Sequence, residues 1–167
     1  MAERDQIFSS KIKYDGIFNF PSFYKFCYDW LVEEIGLDMS EDAYKEKITG
    51  DSKNIDVEWS GSKKLSDYFR FDVKVTFQVI ALSKLEINQD GKKIKTNKGS
   101  AELKIKGTLV RDYKGKFEMT ASKKFMRSVY EKFIIHSRIE EVEGMIAGKC
   151  DEFLSQAKAY LDLEGKR

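Results

Sequence analysis

The clearest pattern in the chain is a strict alternation of apolar and polar side chains from position 69 to position 79. Every odd position from Phe69 to Val79 is apolar, and every even position from Arg70 to Gln78 is polar or charged. Side chains of a strand point alternately to the two faces of a sheet, so this run predicts one long strand. One buried and one solvated face are typical of an antiparallel sheet that is covered on one side.

Shorter alternating runs predict further strands on both sides of this one. They lie near Phe8–Phe18, at Ile55–Trp59, at Leu85–Ile87 and at Ala101–Leu109. The central strand is expected to extend from Leu65 to Leu82. Between the first strands, position 40 can start a short helix, although residues 44 to 48 equally fit a strand.

Residues typical of turns separate these strands in three places. Asp90–Gly91 predicts a two-residue hairpin, because a type I′ turn needs positive φ at both central residues. That register would place Ile87 opposite Ile94. Ser60–Ser62 and Asn97–Gly99 are rich in small polar residues and glycine, and they predict two more turns.

Helical spacing replaces strand spacing near both ends of the chain. Asn19 can cap a helix that stops at Gly36. Apolar residues then recur every three or four positions from Arg138 to Leu163, which predicts a long amphipathic helix. The sequence leaves open whether Thr120–Leu163 is one helix or two.

These elements predict an α+β protein. We expect five to seven antiparallel strands packed against the long C-terminal helix, with a helix after the first strand. The 167 residues, 41% of them hydrophobic, are expected to form a single domain over positions 1–167.

In element order, the chain resembles the helix-grip fold of the START and polyketide-cyclase superfamily. The matching pieces are Lys11–Phe18, the Asn19–Gly36 helix, the strands from Ile55 to Val110 and the Arg138–Leu163 helix. The resemblance implies a curved sheet that wraps the C-terminal helix and encloses a cavity for an apolar ligand. No sequence motif accompanies it, and the stretch after Phe117 has room for two helices where that superfamily usually has one.

A ligand cavity of that kind would be lined by aromatic residues of the sheet and by residues of the terminal helix. The candidates are Trp59, Phe69, Phe71, Phe77, Phe153 and Ala157. An enclosed cavity and a solid core produce the same periodic pattern, so both interpretations stay open.

The charge distribution suggests two further kinds of partner. Residues 1–60 carry 7 basic and 13 acidic side chains, whereas residues 61–128 carry 17 basic and 7 acidic ones. Such segregation favours self-association or internal pairing of charges, and the long terminal helix could contact a second copy. Four lysines surround the predicted hairpin tip and could contact nucleic acid, namely Lys92, Lys93, Lys95 and Lys98. Without arginine or a stacking aromatic among them, solubility of the hairpin is the favoured interpretation.

Catalytic chemistry has few candidates. His136 is the only histidine and is expected to be partly buried, and Cys27 and Cys150 have the character of buried thiols. We therefore expect a non-catalytic binding protein with no metal and no cofactor. The polar N-terminal residues lack the apolar core of a signal peptide, and no run of about 18 apolar residues is present, so a cytoplasmic location is expected.

Overall fold

The computed structural model describes residues 3–114, 121–134 and 136–165. Five strands come first, interrupted by one helix: β1 Glu3–Phe18, α1 Phe20–Trp30, β2 Asp38–Thr49, β3 Ser52–Lys64, β4 Phe69–Gln89 and β5 Lys92–Arg111. A π-helical turn over Leu31–Ile35 extends α1. The helices α2 Ala121–Val129, with a π-helical turn over Tyr130–Ile134, and α3 His136–Gly165 follow. The predicted α+β class is confirmed.

The five strands form one antiparallel sheet in the order β1-β5-β4-β3-β2. Strands β2 to β5 are joined by successive hairpins, and β1 pairs with β5 along its length. The number of strands lies at the lower end of the expected five to seven. This sheet packs against the C-terminal helix, which is compatible with a helix-grip arrangement.

The predicted parity of the central strand is confirmed. The odd residues from Phe69 to Val79 are at most 4% exposed, whereas Lys74 and Gln78 face solvent. We call the face that carries the odd residues the covered face, because buried side chains of α1 and α3 pack against it in one core. The opposite face, which carries the even residues of β4, is called the open face.

The first helix begins and ends where the sequence indicated. The side chain of Asn19 accepts a hydrogen bond from the Ser22 amide at 3.0 Å and caps α1. Gly36 stops the helix in the left-handed conformation, with φ of 81°. The predicted start at Thr120 and the connection between the two C-terminal helices at Ile135 lie outside the described residues.

Two local predictions are wrong. Ser60–Ser62 lies inside β3 and Asn97–Gly99 lies inside β5, so neither is a turn. The glycines in these segments instead permit close approach of groups on neighbouring strands, since a Cβ at Gly61 would overlap Met39 Sδ. Of the two alternatives left open after position 40, the strand is confirmed, because residues 44 to 48 belong to the edge strand β2.

The central strand begins later than predicted, at Phe69. It also ends later, at Gln89, because a bulge lets it continue past Leu82. The bulge inserts one extra residue at Ile80–Ala81, where Ala81 has φ of 56° and its amide donates to Asn54 Oδ1 at 2.9 Å. Beyond Ser83 on β4 and before Asn97 on β5, the two strands pair only with each other. We call residues 84–96 the arm; its tip is the predicted hairpin, and Ile87 faces Ile94 as expected.

Candidate functional site

The six candidate ligand residues are all buried under the helices. Each is at most 3% exposed, and they belong to one continuous core. The structure brings Trp59 and Phe77 together with ring centroids 5.6 Å apart, while Phe153 packs on Trp30 at 5.7 Å. Two surface clefts of about 690 Å³ each have none of the six in their walls. Ligand binding by these six residues therefore stays a prediction.

The four hairpin lysines do not form a single patch. Cross-strand pairing places Lys93 opposite Asn88 and Lys95 opposite Glu86, on one side of the arm. Lys92 alternates with them and lies on the other side. Lys98 lies beyond the arm, opposite Ser83. A groove of nucleic acid would meet only part of this set, so the arrangement gives the hairpin no concentrated cationic surface.

The candidate catalytic groups differ in how far they are buried. The prediction that His136 is partly buried is wrong, because its side chain is 68% exposed and pairs with Glu140 at 3.2 Å. Cys27 and Cys150 are free and fully buried. Burial raises the pKa of Cys150 to about 12 and that of Cys27 well above its usual value, which makes both thiols poor nucleophiles.

The helix predicted to carry an oligomer contact uses its apolar stripe internally. Ile139, Val142, Ile146, Cys150, Phe153 and Ala157 are all buried against the same chain. Only Met145 and Leu163 remain as exposed large apolar residues on α3. Self-assembly through this helix stays a prediction.

A better candidate site lies where the covered face extends past the start of α1. One row of the sheet consists of Ile48, Lys53 and Leu82, which oppose one another on β2, β3 and β4. Phe20 and Pro21 at the start of α1 face this row across a cleft of about 690 Å³. We call it the arm-base cleft, because Ser83, Lys84 and Asn97 close its third side.

The arm-base cleft has an apolar interior and a charged rim, on which the acidic Asp51 accompanies two lysines. Leu82 is only 2% exposed, whereas Ile48 is 72% exposed because no helix covers this end of the sheet. Lys53 pairs with Glu46 at 3.0 Å. Lys84 forms no ion pair with a described carboxylate. The rim therefore offers one neutralised and one available ammonium group.

A hydrogen bond and a close backbone contact hold the third wall in place. Asn97 Oδ1 accepts from the Phe20 amide at 3.1 Å, which ties the base of the arm to the first turn of α1. The bulge brings Gly99 against the β4 backbone, since a Cβ there would lie 3.1 Å from Ile80 O. A second cleft of about 380 Å³ continues along the arm and shares Pro21, Lys84 and Asn97 with the first.

A polar network beneath α1 fixes the neighbouring aromatic residues. Trp59 Nε1 donates to the Tyr24 hydroxyl at 3.2 Å, and that hydroxyl donates to Glu41 Oε1. Burial, and then the hydrogen bond to Glu41, raises the pKa of Tyr24 to about 12. Burial and the hydrogen bond to Glu46 likewise raise the pKa of Tyr44 to about 12. Both phenols are therefore neutral at physiological pH and act as hydrogen-bond donors.

The opposite end of the sheet holds a cluster of charges around Arg111. Its guanidinium contacts Glu131 at 2.7 Å, Asp5 at 2.6 Å and Glu3 at 3.0 Å. Arg127 adds a contact to Glu3 at 2.8 Å. These ion pairs join β1, β5 and the segment that follows α2, so the cluster has a clear structural role.

Sequence reasoning missed the residues of the arm-base cleft. The available signal was Ile48, a lone apolar residue in the polar run of β2, although only the pairing with β3 and β4 shows what it faces. Among the described residues, no cluster of histidine, cysteine and acidic side chains is arranged to bind a metal ion. In the same part of the chain, no helix combines the length and apolar character needed to cross a membrane.

Comparison of the chain with models of protein families, with curated proteins and with solved structures finds no match.

Proposed function

We propose that this protein is a non-catalytic binding module that holds a small amphipathic ligand in the arm-base cleft. The ligand would have an apolar body and one anionic group. The observation that carries the proposal is the row of Ile48, Lys53 and Leu82 facing Phe20 and Pro21, in which Ile48 is 72% exposed. An exposed isoleucine at the mouth of a cleft is a place where a foreign apolar group gains from leaving water.

The volume of the cleft and the chemistry of its lining residues fit such a ligand. The volume of about 690 Å³ falls within the roughly 300–1,000 Å³ usual for small-molecule sites. The apolar residues supply affinity, and Lys84 supplies a charge that would select an anionic group over a neutral one. Membership of the helix-grip superfamily is part of the same proposal, with the ligand at the open end of the sheet–helix interior.

A fluorescent probe can test the cleft directly. Anilinonaphthalene sulfonate combines an apolar ring system with a sulfonate, and its emission rises when it leaves water. We expect saturable binding to the native protein, weakened at least about fivefold by Ile48→Ser, because burial of one aliphatic side chain contributes about 1.5–3 kcal/mol. Lys84→Gln should weaken binding and reduce its salt dependence.

Two matched substitutions control for general effects. Ile80→Ser removes another exposed isoleucine, 48% exposed, from the open face, and Lys92→Gln removes a lysine from the arm tip. Both should leave probe binding within about twofold of the wild type. Equal losses from cleft and control variants, or no saturable binding, would refute the assignment. Native mass spectrometry of gently purified protein should also show a bound small molecule that Ile48→Ser loses.

A further inference from the structure

The open face of the sheet carries lysines that face each other across neighbouring strands. Lys74 of β4 is directly opposite Lys106 of β5, and Lys104 of β5 is directly opposite Lys11 of β1. Side chains in such positions lie about 4.5–5.5 Å apart at Cβ, and like charges there destabilise a sheet. We call these four residues the lysine row.

Few acidic groups compensate this charge. Lys11 pairs with Glu102 at 3.4 Å. Lys74, Lys104 and Lys106 form no ion pair with a described carboxylate. The nearby Asp72 is already neutralised, because Arg70 contacts it at 2.8 Å and Arg4 at 3.2 Å. The β1, β5 and β4 portion of the open face is therefore a net positive surface that a bound anion would stabilise.

A cleft of about 690 Å³ runs across this surface. Its lining includes residues of all five strands, from Arg4 on β1 to Asp38 on β2. Four gaps between neighbouring strands span about 19 Å. Hydroxyl groups of Ser60, Ser62 and Thr108 accompany the cations in its wall. The acidic Asp38 confines an anionic partner to the β4 and β5 side.

We propose that this face binds the phosphate backbone of double-stranded nucleic acid without reading its sequence. Lysine, arginine, serine and threonine are the residues that contact phosphates and sugars in such complexes. On one strand, Lys104 and Lys106 repeat every two residues, or about 6.8 Å, which suits a polymer of evenly spaced charges better than a single anion. This site is separate from the arm-base cleft and does not depend on the function proposed there.

The face lacks the features that other partners need. Between Arg70 and Gln78 on β4, and between Lys104 and Thr108 on β5, the open face presents no aromatic side chain on which an unpaired base could stack. The ring of Tyr113 at its margin is flanked by the cations of Arg70 and Lys114. Protein interfaces have an apolar centre in which lysine is scarce, and the lysine row is the reverse of such a centre.

Fluorescence anisotropy with a short labelled DNA duplex of mixed sequence tests the proposal. The triple variant Lys74→Gln, Lys104→Gln, Lys106→Gln should bind at least about tenfold more weakly at 50 mM salt. Its log–log salt slope should be shallower by up to about 2.7, because each phosphate contact contributes about 0.9. A second triple variant, Lys92→Gln, Lys93→Gln, Lys95→Gln, removes equal charge from the arm and should change affinity less than about threefold.

Further measurements separate the proposal from its competitors. Duplex RNA should bind comparably to duplex DNA, since the contacts are to phosphates. The melting temperature of the open-face triple variant should equal or exceed that of the wild type, because like-charge pairs have been removed. Absence of duplex binding at 50 mM salt would overturn the proposal, as would equal losses from the two triple variants. Tenfold tighter binding of the single strand, or binding only to phosphatidylserine vesicles, would also overturn it.

Discussion

Gly107 allows the long C-terminal helix to approach the sheet closely, and a single methyl group there should be enough to disturb the packing. A Cβ built at Gly107 would lie 2.7 Å from Cys150 Sγ and 3.0 Å from Ile146 Cγ2. The backbone of Gly107 does not adopt the left-handed conformation, so alanine causes no backbone strain. Any loss of stability in Gly107→Ala must therefore come from the steric conflict with α3.

The expected loss of stability is the difference between two opposing contributions. Overpacking a well-filled core usually costs about 1–3 kcal/mol. Replacing glycine by alanine returns about 0.4–1 kcal/mol by restricting the unfolded chain. We therefore expect Gly107→Ala to lower the free energy of unfolding by about 1–2 kcal/mol. Cys150→Ala removes the conflicting sulfur and should by itself cost about 1 kcal/mol as a small cavity.

The double variant gives the decisive measurement. With the sulfur absent, the new methyl group occupies part of the vacated volume. The two changes should then compensate each other by at least about 1 kcal/mol. Urea denaturation followed by circular dichroism supplies the four free energies. Gly148→Ala is the matched control, because a Cβ there meets nothing within 4 Å and should stabilise α3 by up to about 1 kcal/mol. Additive effects in the double variant would refute the steric explanation.

Three further predictions concern stability. Phe71→Asp should unfold the protein or cost more than about 4 kcal/mol, because it buries an unpaired charge, whereas Asp72→Ala on the open face should cost less than about 1 kcal/mol in urea denaturation. The raised pKa values of Tyr24 and Tyr44 mean that their contribution to stability is fully present below pH 10 and is lost as pH rises towards 12. A native titration in which Tyr24→Phe, Tyr44→Phe removes tyrosinate absorbance near pH 10 would contradict this. Arg111→Met should cost about 2–3 kcal/mol, because it strands partly buried carboxylates, and an unchanged melting temperature would argue against the charge cluster as a structural element.

The parts of the fold that follow from local chemistry could be predicted from the sequence. The parity of β4, the cap at Asn19, the stop at Gly36 and the hairpin at Asp90–Gly91 each depend on a few adjacent residues. Side-chain alternation and positive φ are properties of the chain itself, and neighbouring strands do not alter them.

Predictions that depended on glycine failed where glycine served packing between strands. Gly61 and Gly99 carry the same sequence signal as a turn residue. In the structure, the first makes room for Met39 and the second accommodates the backbone at the bulge. Both reasons involve strands far apart in sequence, so no local pattern contains them.

The candidate sites were harder to predict because they depend on register. The sequence shows that Lys74 and Lys106 occupy polar positions of two strands, but only the pairing of β4 with β5 shows that they face each other. Ile48 is one apolar residue in a polar run until β3 and β4 place it beside Leu82. Buried aromatic residues such as Phe77 have the same periodicity in a core as in a ligand cavity, so the pattern could not distinguish the two.

The pairing of β1 with β5 has a consequence for how the chain reaches this structure. Strands β2 to β5 each pair with the next along the chain. By contrast, β1 pairs with β5, the last strand, so that Glu3 lies opposite Arg111. Non-local pairing must overcome the entropy of closing a long loop before it gains any contacts, and it slows folding. During synthesis, β1 emerges first but must wait for β5. We therefore expect the hairpins of β2 to β5 to order first, and the joining of β1 to set the folding rate.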